Sequence, residues 1–252
     1  MTIYDFSQLG FRPGDVAVVT GAGNGIGRSV ALMLAKSGLN IAAWDMEKDA
    51  VNEVVAEVEE AGGTARAIVA DLNVPAQIQE AWAQSRSLVG SIRYLCNNAG
   101  PASTTPLSVA EGASIAIGSY AAVFESFVEQ HAETAESSTF TASVAGNFMV
   151  GDTQDWYPAA KAGIAGYTRH VAVKFKGRPR ANCVAPGGTI TRRTAAAFAS
   201  EAVKERLRQH PLGRAADADE VAAVICFLLS PAASYLNGVL IPVDGGSTWK
   251  TS

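Results

Sequence analysis

The sequence predicts one α/β domain, a doubly wound parallel sheet of about seven strands with helices on both faces. The 252 residues are 48% hydrophobic, which is enough apolar material for one sizeable core. Short apolar runs alternate with longer stretches of helical pattern, and this alternation is typical of parallel strands joined by right-handed crossovers. A glycine-rich stretch directly follows the first apolar run, where such sheets bind ligands.

The elements follow one another as strand, helix, strand along the chain. Each apolar run has strand length and is bounded by polar or glycine-containing residues. The predicted strands are 16–20, 40–44, 66–70, 92–96, 138–142, 181–185 and 238–242. The predicted helices are at about 25–37, 47–61, 75–89, 107–132, 155–176 and 217–229. We expect 1–252 to form a single domain with a substrate lid at about 188–210.

Composition argues against several classes of protein. The net charge of −4 and the isoelectric point of about 5.4 leave no basic footprint for nucleic acid. No run of about 18 apolar residues predicts a membrane span, and residues 1–15 lack the apolar core of a signal peptide. The three cysteines are scattered, so their spacing predicts neither a disulfide framework nor a metal site. We expect a cytoplasmic protein that acts on a small molecule.

The stretch TGAGNGIG, residues 20–27, lacks side chains at alternate positions where a helix is predicted to begin. Glycine permits positive φ and close approach to the main chain. The helix N-terminus presents unpaired N–H groups, and together these features suit a pyrophosphate. The spacing Gly21-x-x-x-Gly25-x-Gly27 is wider than the usual G-x-G-x-x-G. A tight strand-to-helix turn without a ligand is the alternative.

The second predicted strand is followed by Asp45, 18 residues beyond Gly27. A carboxylate there can hydrogen-bond both hydroxyls of an adenosine ribose and would repel a 2′-phosphate. Neither Asn24 nor Met46 supplies a compensating cation, so we predict NAD rather than NADP. Arg28 is the one cation nearby, and we interpret it as a helix-surface residue. The alternative for Asp45 is a helix N-cap.

Asp71 and Leu72 follow the third predicted strand. The Asp71 carboxylate can accept from an adenine amino group, and Leu72 can pack against the ring. A cap for the helix that begins near Pro75 is a second role for Asp71, and the two roles are compatible.

Several ordered motifs resemble those of the short-chain dehydrogenase/reductase family over residues from about 14 to 248. Beside the glycine-rich turn, they are Asn97-Asn98-Ala99-Gly100, Ser143, Tyr157-x-x-x-Lys161, Pro186-Gly187 with Thr191, and Asp244-Gly245-Gly246. Their order along the chain makes the resemblance more specific than any motif alone. It implies a single-domain Rossmann fold, a nicotinamide cofactor and oxidoreductase activity.

The resemblance assigns catalysis to Ser143, Tyr157 and Lys161. Tyr157 and Lys161 are four residues apart and share a helix face, and Pro158 is tolerable only in the first turn of that helix. A neighbouring ammonium and a cationic nicotinamide favour the phenolate, so Tyr157 can act as base or acid. Ser143 can hold the substrate oxygen. Taken alone, a Tyr-x-x-x-Lys pair is more simply a packed tyrosine beside a snorkelling lysine.

The resemblance also implies a set of cofactor-binding residues around the carboxyl ends of the strands. In the family, the residue at Asn98 holds the strand ends below the cofactor, and Thr191 is placed to bond the nicotinamide carboxamide. The full set is Gly21, Asn24, Gly25, Ile26, Gly27, Asp45, Met46, Asp71, Leu72, Asn98, Ala99, Gly100, Tyr157, Lys161, Pro186, Gly187, Thr189 and Thr191.

One residue of the family pattern is missing. Family members usually carry an asparagine in the helix after the fourth strand, which helps to position the lysine through a water molecule. No asparagine lies between Asn98 and Asn147, and the alignment places Gly118 or Ser119 near that position. The departure puts the proton relay in question, but we expect activity to survive.

Residues 147–154, with Phe148 among them, are predicted to line the substrate mouth. Trp156 packs either the same pocket or a subunit interface. On the lid, Arg192 and Arg193 form a pair that can clamp an anionic group of the substrate, and a solvated lid surface is the alternative.

These residues predict hydride transfer between NAD and a secondary alcohol or ketone, with an anionic substrate as a refinement. One alternative is an NAD-binding sensor or scaffold with little turnover, and another is a reductase of carrier-linked 3-oxoacyl substrates. A lyase or dehalogenase on the same scaffold would not need the glycine-rich turn or Asp45.

We expect a homo-oligomer, with a tetramer favoured and a dimer as the alternative. In the family, the helices that correspond to 107–132 and 157–175 make the interface. Small and apolar residues suit these helices to close contact: Ile115, Ala116, Tyr120, Ala121, Val123, Phe124, Phe127, Val128, Ala162, Ile164, Ala165 and Tyr167.

Overall fold

A computed structural model describes residues 2–149 and 153–249 of the chain. Its strands are β1 (Val16–Thr20), β2 (Asn40–Asp45), β3 (Ala65–Val69), β4 (Ile92–Asn97), β5 (Ser137–Thr141), β6 (Arg180–Pro186), β7 (Thr189–Ile190), β8 (Ala216–Asp217) and β9 (Leu240–Val243). Seven of them form one parallel sheet in the order β3-β2-β1-β4-β5-β6-β9. The predicted α/β class with a doubly wound parallel sheet is confirmed.

The helices that cover the two faces of the sheet are α1 (Gly25–Lys36), α2 (Lys48–Glu60), α3 (Pro75–Ser85), α4 (Val109–Gln130), α5 (Trp156–Lys174) and α8 (Ala218–Leu229). Between β7 and β8 lie the short helices α6 (Ala195–Phe198) and α7 (Glu201–Arg208). These two helices and β7 lie within the predicted lid, where no regular elements were predicted, and β8, which pairs with β7, follows the lid.

The strands of the large sheet lie within two residues of their predicted bounds. The helix predicted to reach residue 89 was too long, because α3 ends at Ser85. The chain then turns at Gly90, whose φ is +113°, to enter β4. A backbone conformation that strongly favours glycine therefore overrides the helical pattern here.

Alternate residues of β1 pack into two hydrophobic cores, one on each side of the sheet. Val16 and Val18 contribute to the core beneath α3, α4 and α5, and Ala17 and Val19 to the core beneath α1 and α8. All five residues of β1 are buried. A parallel strand covered on both faces reads as a continuous apolar run, which explains why the sequence predicts it well.

The order of the strands reverses between β1 and β4. The connection through α1 leads from β1 to β2 on one side, whereas β4 pairs with the other side of β1. The carboxyl ends of β1 and β4 therefore border the crevice in which ligands of such sheets bind. The glycine-rich turn and the segment after Asn97 both lie at this edge.

Within residues 2–149 and 153–249, no helix is long and apolar enough to cross a bilayer. The same residues contain no group of three or more His, Cys, Asp or Glu side chains arranged to hold a metal ion. Cys96, Cys183 and Cys226 are free thiols buried in the interior.

Gly112 in α4 lies where no side chain fits. A Cβ there would stand 2.4 Å from Cγ of Trp156 in α5. We therefore expect Gly112→Ala to lower the free energy of unfolding by about 1–3 kcal/mol through overpacking. Gly118→Ala, in the same helix, is the matched control because its Cβ would meet no atom within 4 Å. It should raise stability by about 0.5–1 kcal/mol, and urea unfolding of both variants checks the pair; equal effects would contradict this packing.

Candidate active site

The glycine-rich turn brings three parts of the backbone together. Gly21 and Gly25 have positive φ, at +65° and +54°. A Cβ on Gly27 would stand 2.0 Å from the carbonyl oxygen of Gly21, so alanine cannot replace it without moving the loop. Among the described residues, no side chain caps the start of α1 at Asn24. The first N–H groups of this helix therefore remain suited to an anion such as a pyrophosphate.

The carboxylate of Asp45 is fixed beside this turn. Its Oδ2 accepts from the Gly23 N–H at 2.8 Å, and its Oδ1 accepts from the Glu47 N–H at 3.0 Å. The alternative of a helix N-cap does not hold, because α2 begins at Lys48 and its cap position is Glu47. Arg28 is engaged by Glu57 of α2. Each oxygen of this carboxylate can accept a further hydrogen bond, as binding of a ribose hydroxyl would require.

Asp71 stabilises its own turn. Its Oδ1 accepts from the main-chain and side-chain nitrogens of Asn73, both at 2.9 Å. The cap position of α3 is Val74, so Asp71 does not cap that helix. Leu72 packs against the core beneath α3. The structural contribution of both residues is thus visible, and their contact with adenine stays a prediction.

Asn98 ties together the ends of three strands. Its main-chain N–H donates to Oγ1 of Thr20 at 2.9 Å, and its Nδ2 donates to the Thr20 carbonyl at 3.3 Å. Its Oδ1 accepts from the hydroxyl of Thr141 at 3.1 Å. The Ala99 N–H also donates to Oγ1 of Thr20, at 3.0 Å. The floor of the crevice is therefore built from side-chain bonds at the ends of β1, β4 and β5.

Ser143, Tyr157 and Lys161 meet above this floor. Ser143 follows β5, and Tyr157 lies in the first turn of α5, where Pro158 is tolerated as predicted. Hydrogen bonding to the side chain of Ser143 lowers the pKa of the Tyr157 phenol. Nζ of Lys161 lies 5.6 Å from the centroid of the Tyr157 ring and donates to the carbonyl oxygen of Thr141 at 2.8 Å. The three predicted catalytic side chains are thus brought together.

Burial dominates the electrostatics of this group. It raises the pKa of Tyr157, while the hydrogen bond from Ser143 and the charge of Arg193 act in the opposite direction. Burial also lowers the pKa of Lys161 to about 8, opposed by Cys183 and reinforced by Arg193. The sequence led us to expect the neighbouring ammonium to favour the phenolate. In the structure, the groups that lower the pKa of Tyr157 are Ser143 and Arg193.

The two positions aligned with the missing asparagine do not contact Lys161 through a polar group. The hydroxyl of buried Ser119 donates to the Ala116 carbonyl of its own helix at 3.4 Å. Gly118 is exposed and has no side chain. On the other side of the site, Nδ2 of Asn147 donates to the carbonyls of Ser143 and Lys161 at 2.8 and 3.2 Å. Asn147 was predicted only as part of the substrate mouth, and it links the backbones of two catalytic residues.

Trp156 is a core residue, which corrects its assignment to the substrate pocket. It is 0% exposed, and its indole N–H donates to the Thr105 carbonyl at 2.9 Å. Its ring packs edge-to-face on Tyr157 with centroids 5.4 Å apart. Trp156 therefore supports the ring of Tyr157 as a buried packing partner. Phe148 is 37% exposed, which is consistent with its predicted position at the substrate mouth. Residues 150–152 of that predicted mouth lie outside the described residues.

The lid rests on the glycine-rich turn through Thr191. A Cβ on Gly25 would stand only 2.8 Å from Cγ2 of Thr191. The hydroxyl of Thr194 accepts from the Thr191 N–H at 2.9 Å and donates to the Thr189 carbonyl at 2.7 Å, which holds the start of the lid. Just before it, the Gly187 N–H donates to the Val243 carbonyl at 3.0 Å and anchors the Pro186-Gly187 segment to β9.

The two lid arginines point to different places. Arg192 lies 3.9 Å from Glu53 of α2, on the side of the turn near Asp45. The charge of Arg193 acts on both Tyr157 and Lys161. The sequence treated them as a pair, but only the charge of Arg193 acts on the pKa values of the catalytic side chains.

Comparison with known proteins identifies the family. A family model described as enoyl-(acyl carrier protein) reductase matches residues 21–248. Cyclohexanol dehydrogenase from Acinetobacter sp. (strain SE19) is 36% identical over 244 residues, covering 93% of this chain and 95% of that protein. The chain belongs to the short-chain dehydrogenase/reductase family. It is an oxidoreductase of the alcohol dehydrogenase and ketone reductase class within that family.

Two solved structures are similar over nearly their whole length. One is a candidate NAD(P)-dependent gluconate 5-dehydrogenase from Beutenbergia cavernae with bound NADP, 32% identical, with a TM-score of 0.82 and coverage of 94% of this chain and 98% of that one. The other is a 7α-hydroxysteroid dehydrogenase with NADH and 7-oxo glycochenodeoxycholic acid, 26% identical, with a TM-score of 0.85 and coverage of 97% and 98%. Relatives of this chain thus bind either nicotinamide dinucleotide.

Proposed function

We propose that the protein transfers a hydride between NAD and a secondary alcohol or ketone, with Tyr157 as the acid–base residue. The observation that carries this proposal is the grouping of three side chains at the crevice. Hydrogen bonding to Ser143 lowers the pKa of the Tyr157 phenol, and Nζ of Lys161 lies 5.6 Å from the centroid of the Tyr157 ring. When bound, the nicotinamide supplies or accepts the hydride. The uncapped start of α1 and the oriented carboxylate of Asp45 fit the pyrophosphate and the adenosine ribose.

Each catalytic side chain has a separate task. In alcohol oxidation, the Tyr157 phenolate takes the hydroxyl proton of the substrate while the C–H electron pair leaves as hydride. In ketone reduction, the phenol returns that proton to the carbonyl oxygen. Ser143 donates to the same oxygen and holds it near the phenol. Lys161 binds the ribose hydroxyls beside the nicotinamide and contributes positive charge near the phenolate.

The balance of charge near Asp45 supports NAD over NADP. A 2′-phosphate would meet the fixed carboxylate, and the nearest helix cation, Arg28, is already engaged by Glu57. Lys48 and Arg192 line the neighbouring surface depression, but Glu47, Asp49 and Glu53 line it too. The acidic residues there outnumber the cations, so a phosphate gains little.

The charge of Arg193 at the catalytic group supports a substrate with an anionic tail. Arg192 faces Glu53 instead. The descriptions of two similar structures also mention carboxylic acids: one is a candidate gluconate 5-dehydrogenase, and the other was solved with a bile-acid conjugate. A carboxylate on the far side of the ketone would meet the Arg193 guanidinium as the lid closes over it.

A carrier-linked 3-oxoacyl substrate is the second candidate, because the matching family model carries an acyl-carrier name. Such a substrate calls for a basic docking face near the lid. Several basic side chains there are ion-paired, namely Lys204 with Glu201, Arg208 with Glu205, and Arg214 with Glu220. This pairing favours a free small molecule. A sensor or scaffold without turnover would not need Ser143 and Lys161 grouped around one buried phenol.

We also propose a cytoplasmic homo-oligomer, with a tetramer favoured over a dimer. The helices α4 and α5 pack closely on each other. Most of the apolar residues named for an interface belong to the core instead: Ala116, Tyr120, Val123, Phe124, Phe127, Ile164 and Ala165. The others are half-buried and remain available to a second copy: Ile115, Ala121, Val128, Ala162 and Tyr167. The buried free thiols suit a reducing compartment.

The two directions of the reaction should respond to pH with opposite signs. Because burial raises the pKa of Tyr157, little phenolate exists at neutral pH. Alcohol oxidation should therefore rise up to about tenfold per pH unit between about pH 6 and 8, whereas ketone reduction should stay level and then fall at alkaline pH. Initial rates of NADH formation and consumption on a panel of secondary alcohols and ketones measure both directions. Parallel profiles, or no turnover on the whole panel, would refute the assignment.

Removing the carboxylate at Asp45 should reverse the cofactor preference. The wild-type protein should use NAD at least about tenfold better than NADP, judged by kcat/KM, and Asp45→Ser should shift the ratio toward NADP by about tenfold or more. Asp49→Ser is the matched control, because it removes a carboxylate from the neighbouring depression without changing the end of β2. If both variants shift the ratio equally, general charge decides the preference and Asp45 has no specific role.

Arg193→Ala should raise KM about tenfold for an accepted ketone that bears a carboxylate, because a charge-assisted hydrogen bond is lost. KM for the methyl ester of the same ketone should stay unchanged. Arg192→Ala is the matched control and should alter neither, since this residue faces Glu53. If Arg193→Ala raised KM equally for the acid and for its methyl ester, the arginine would support the structure of the lid and would not bind the anionic group.

A further inference from the structure

The ammonium of Lys161 lies between two tyrosine rings. Its Nζ is 5.6 Å from the centroid of the Tyr157 ring and 5.7 Å from that of Tyr120 in α4. Both distances are within the range at which a cation is attracted to an aromatic face. Tyr120 is fully buried, so water does not weaken this attraction by competing for the ring face. The ring of Tyr120 is therefore part of the immediate environment of the charge.

Both side chains also use the same carbonyl. The oxygen of Thr141 accepts from Nζ of Lys161 at 2.8 Å and from the hydroxyl of Tyr120 at 3.3 Å. This carbonyl is open to side chains because the β4–β5 pairing ends at Asn97 and Phe140. The second bond is long for an O–H···O contact. The ring face of Tyr120 should thus contribute more than its hydroxyl.

Tyr120 is itself held firmly. Nδ2 of Asn97 donates to its main-chain carbonyl at 2.9 Å, and its ring lies 6.1 Å from that of Phe140. Burial raises the pKa of its phenol well above the ordinary value, so the side chain stays neutral. A fixed, neutral ring can orient a flexible lysine without competing for protons.

Nothing else on this side of α4 reaches the ammonium with a polar group. Ser119, the neighbour aligned with the missing asparagine, bonds to its own helix at Ala116. Tyr120 is the next residue, and it presents its ring face to Lys161 and its hydroxyl to the Thr141 carbonyl that Lys161 also uses. Where the family uses an asparagine and a water molecule, this chain has an aromatic side chain in direct contact.

We propose that Tyr120 is the positioning residue for Lys161, holding its ammonium between two aromatic rings at the Thr141 carbonyl. This inference rests on the proposed function for its catalytic consequence. The other groups that act on Lys161 are Tyr157, Cys183 of β6 and Arg193 of the lid. Burial raises the pKa of the Cys183 thiol to about 11, so it is neutral at working pH, and the charge of Arg193 disfavours the ammonium. The Tyr120 ring offsets part of that repulsion.

The test measures the titration of Lys161 directly. Protein labelled with ¹³C at lysine Cε is titrated by NMR, and the Lys161 resonance is identified by its loss in Lys161→Arg. Tyr120→Leu removes the ring, and Tyr120→Phe removes only the hydroxyl. Phe124→Leu is the matched control, because Phe124 lies one turn along α4 in the same core and contacts Phe140, Tyr167 and Phe175 rather than Lys161.

Tyr120→Leu should raise the acid-dissociation constant of the Lys161 ammonium about threefold or more, since the stabilising ring is gone. It should also lower kcat about tenfold. Tyr120→Phe and Phe124→Leu should leave the dissociation constant within about twofold of the wild-type value. Tyr120→Met serves the same purpose where the leucine variant does not fold.

Two results would overturn the proposal. One is a dissociation constant of the Lys161 ammonium in Tyr120→Leu or Tyr120→Met that equals the wild-type value. The other is a change of that constant in Phe124→Leu as large as in Tyr120→Leu. The titration needs no substrate, so it decides the role of Tyr120 even if no alcohol or ketone is turned over. Absence of turnover in the wild-type protein would count against the proposed function alone.

Discussion

The active site depends on the hydrogen bonds that the hydroxyl of Thr20 accepts at the end of β1. This buried oxygen at the end of β1 accepts the N–H groups of Asn98 and Ala99, which would otherwise continue β4 beside β5. The chain therefore leaves the sheet after Asn97, and the crevice opens at the reversal of strand order. The carbonyl of Thr141 is left for the ammonium of Lys161. One hydrogen-bonding group at a strand end thus helps to shape the crevice beside which Lys161 lies.

Burial disfavours charge on the catalytic side chains. It works against charge on both side chains, because it raises the pKa of the Tyr157 phenol and lowers the pKa of Lys161 to about 8. Ser143 and Arg193 favour the phenolate, and the Thr141 carbonyl and two aromatic faces favour the ammonium. The protonation of Lys161 is therefore sensitive to the contacts around its ammonium. This sensitivity explains why a chain without the family's asparagine needs some other contact on the α4 side.

Much of the fold could be predicted from the sequence, because its strands are buried on both faces and read as apolar runs. The position of Tyr157 in the first turn of α5 followed from Pro158. Contacts between distant segments could not be read from periodicity. The indole of Trp156 looked like a pocket wall, but Gly112 of α4 leaves a space that it fills completely. The lid elements are too short to show a period, and Tyr120 looked like one more apolar residue of α4.

The most direct test of the central claim separates binding from proton transfer at Tyr157. Hydride transfer from NADH to an accepted ketone is followed in a single turnover for the wild-type protein and for Tyr157→Phe, with the dissociation constant of NADH measured for each. The account predicts that the rate of transfer falls by about 10²–10⁴-fold while NADH affinity stays within about threefold. A phenylalanine variant that transfers hydride at the wild-type rate would contradict it.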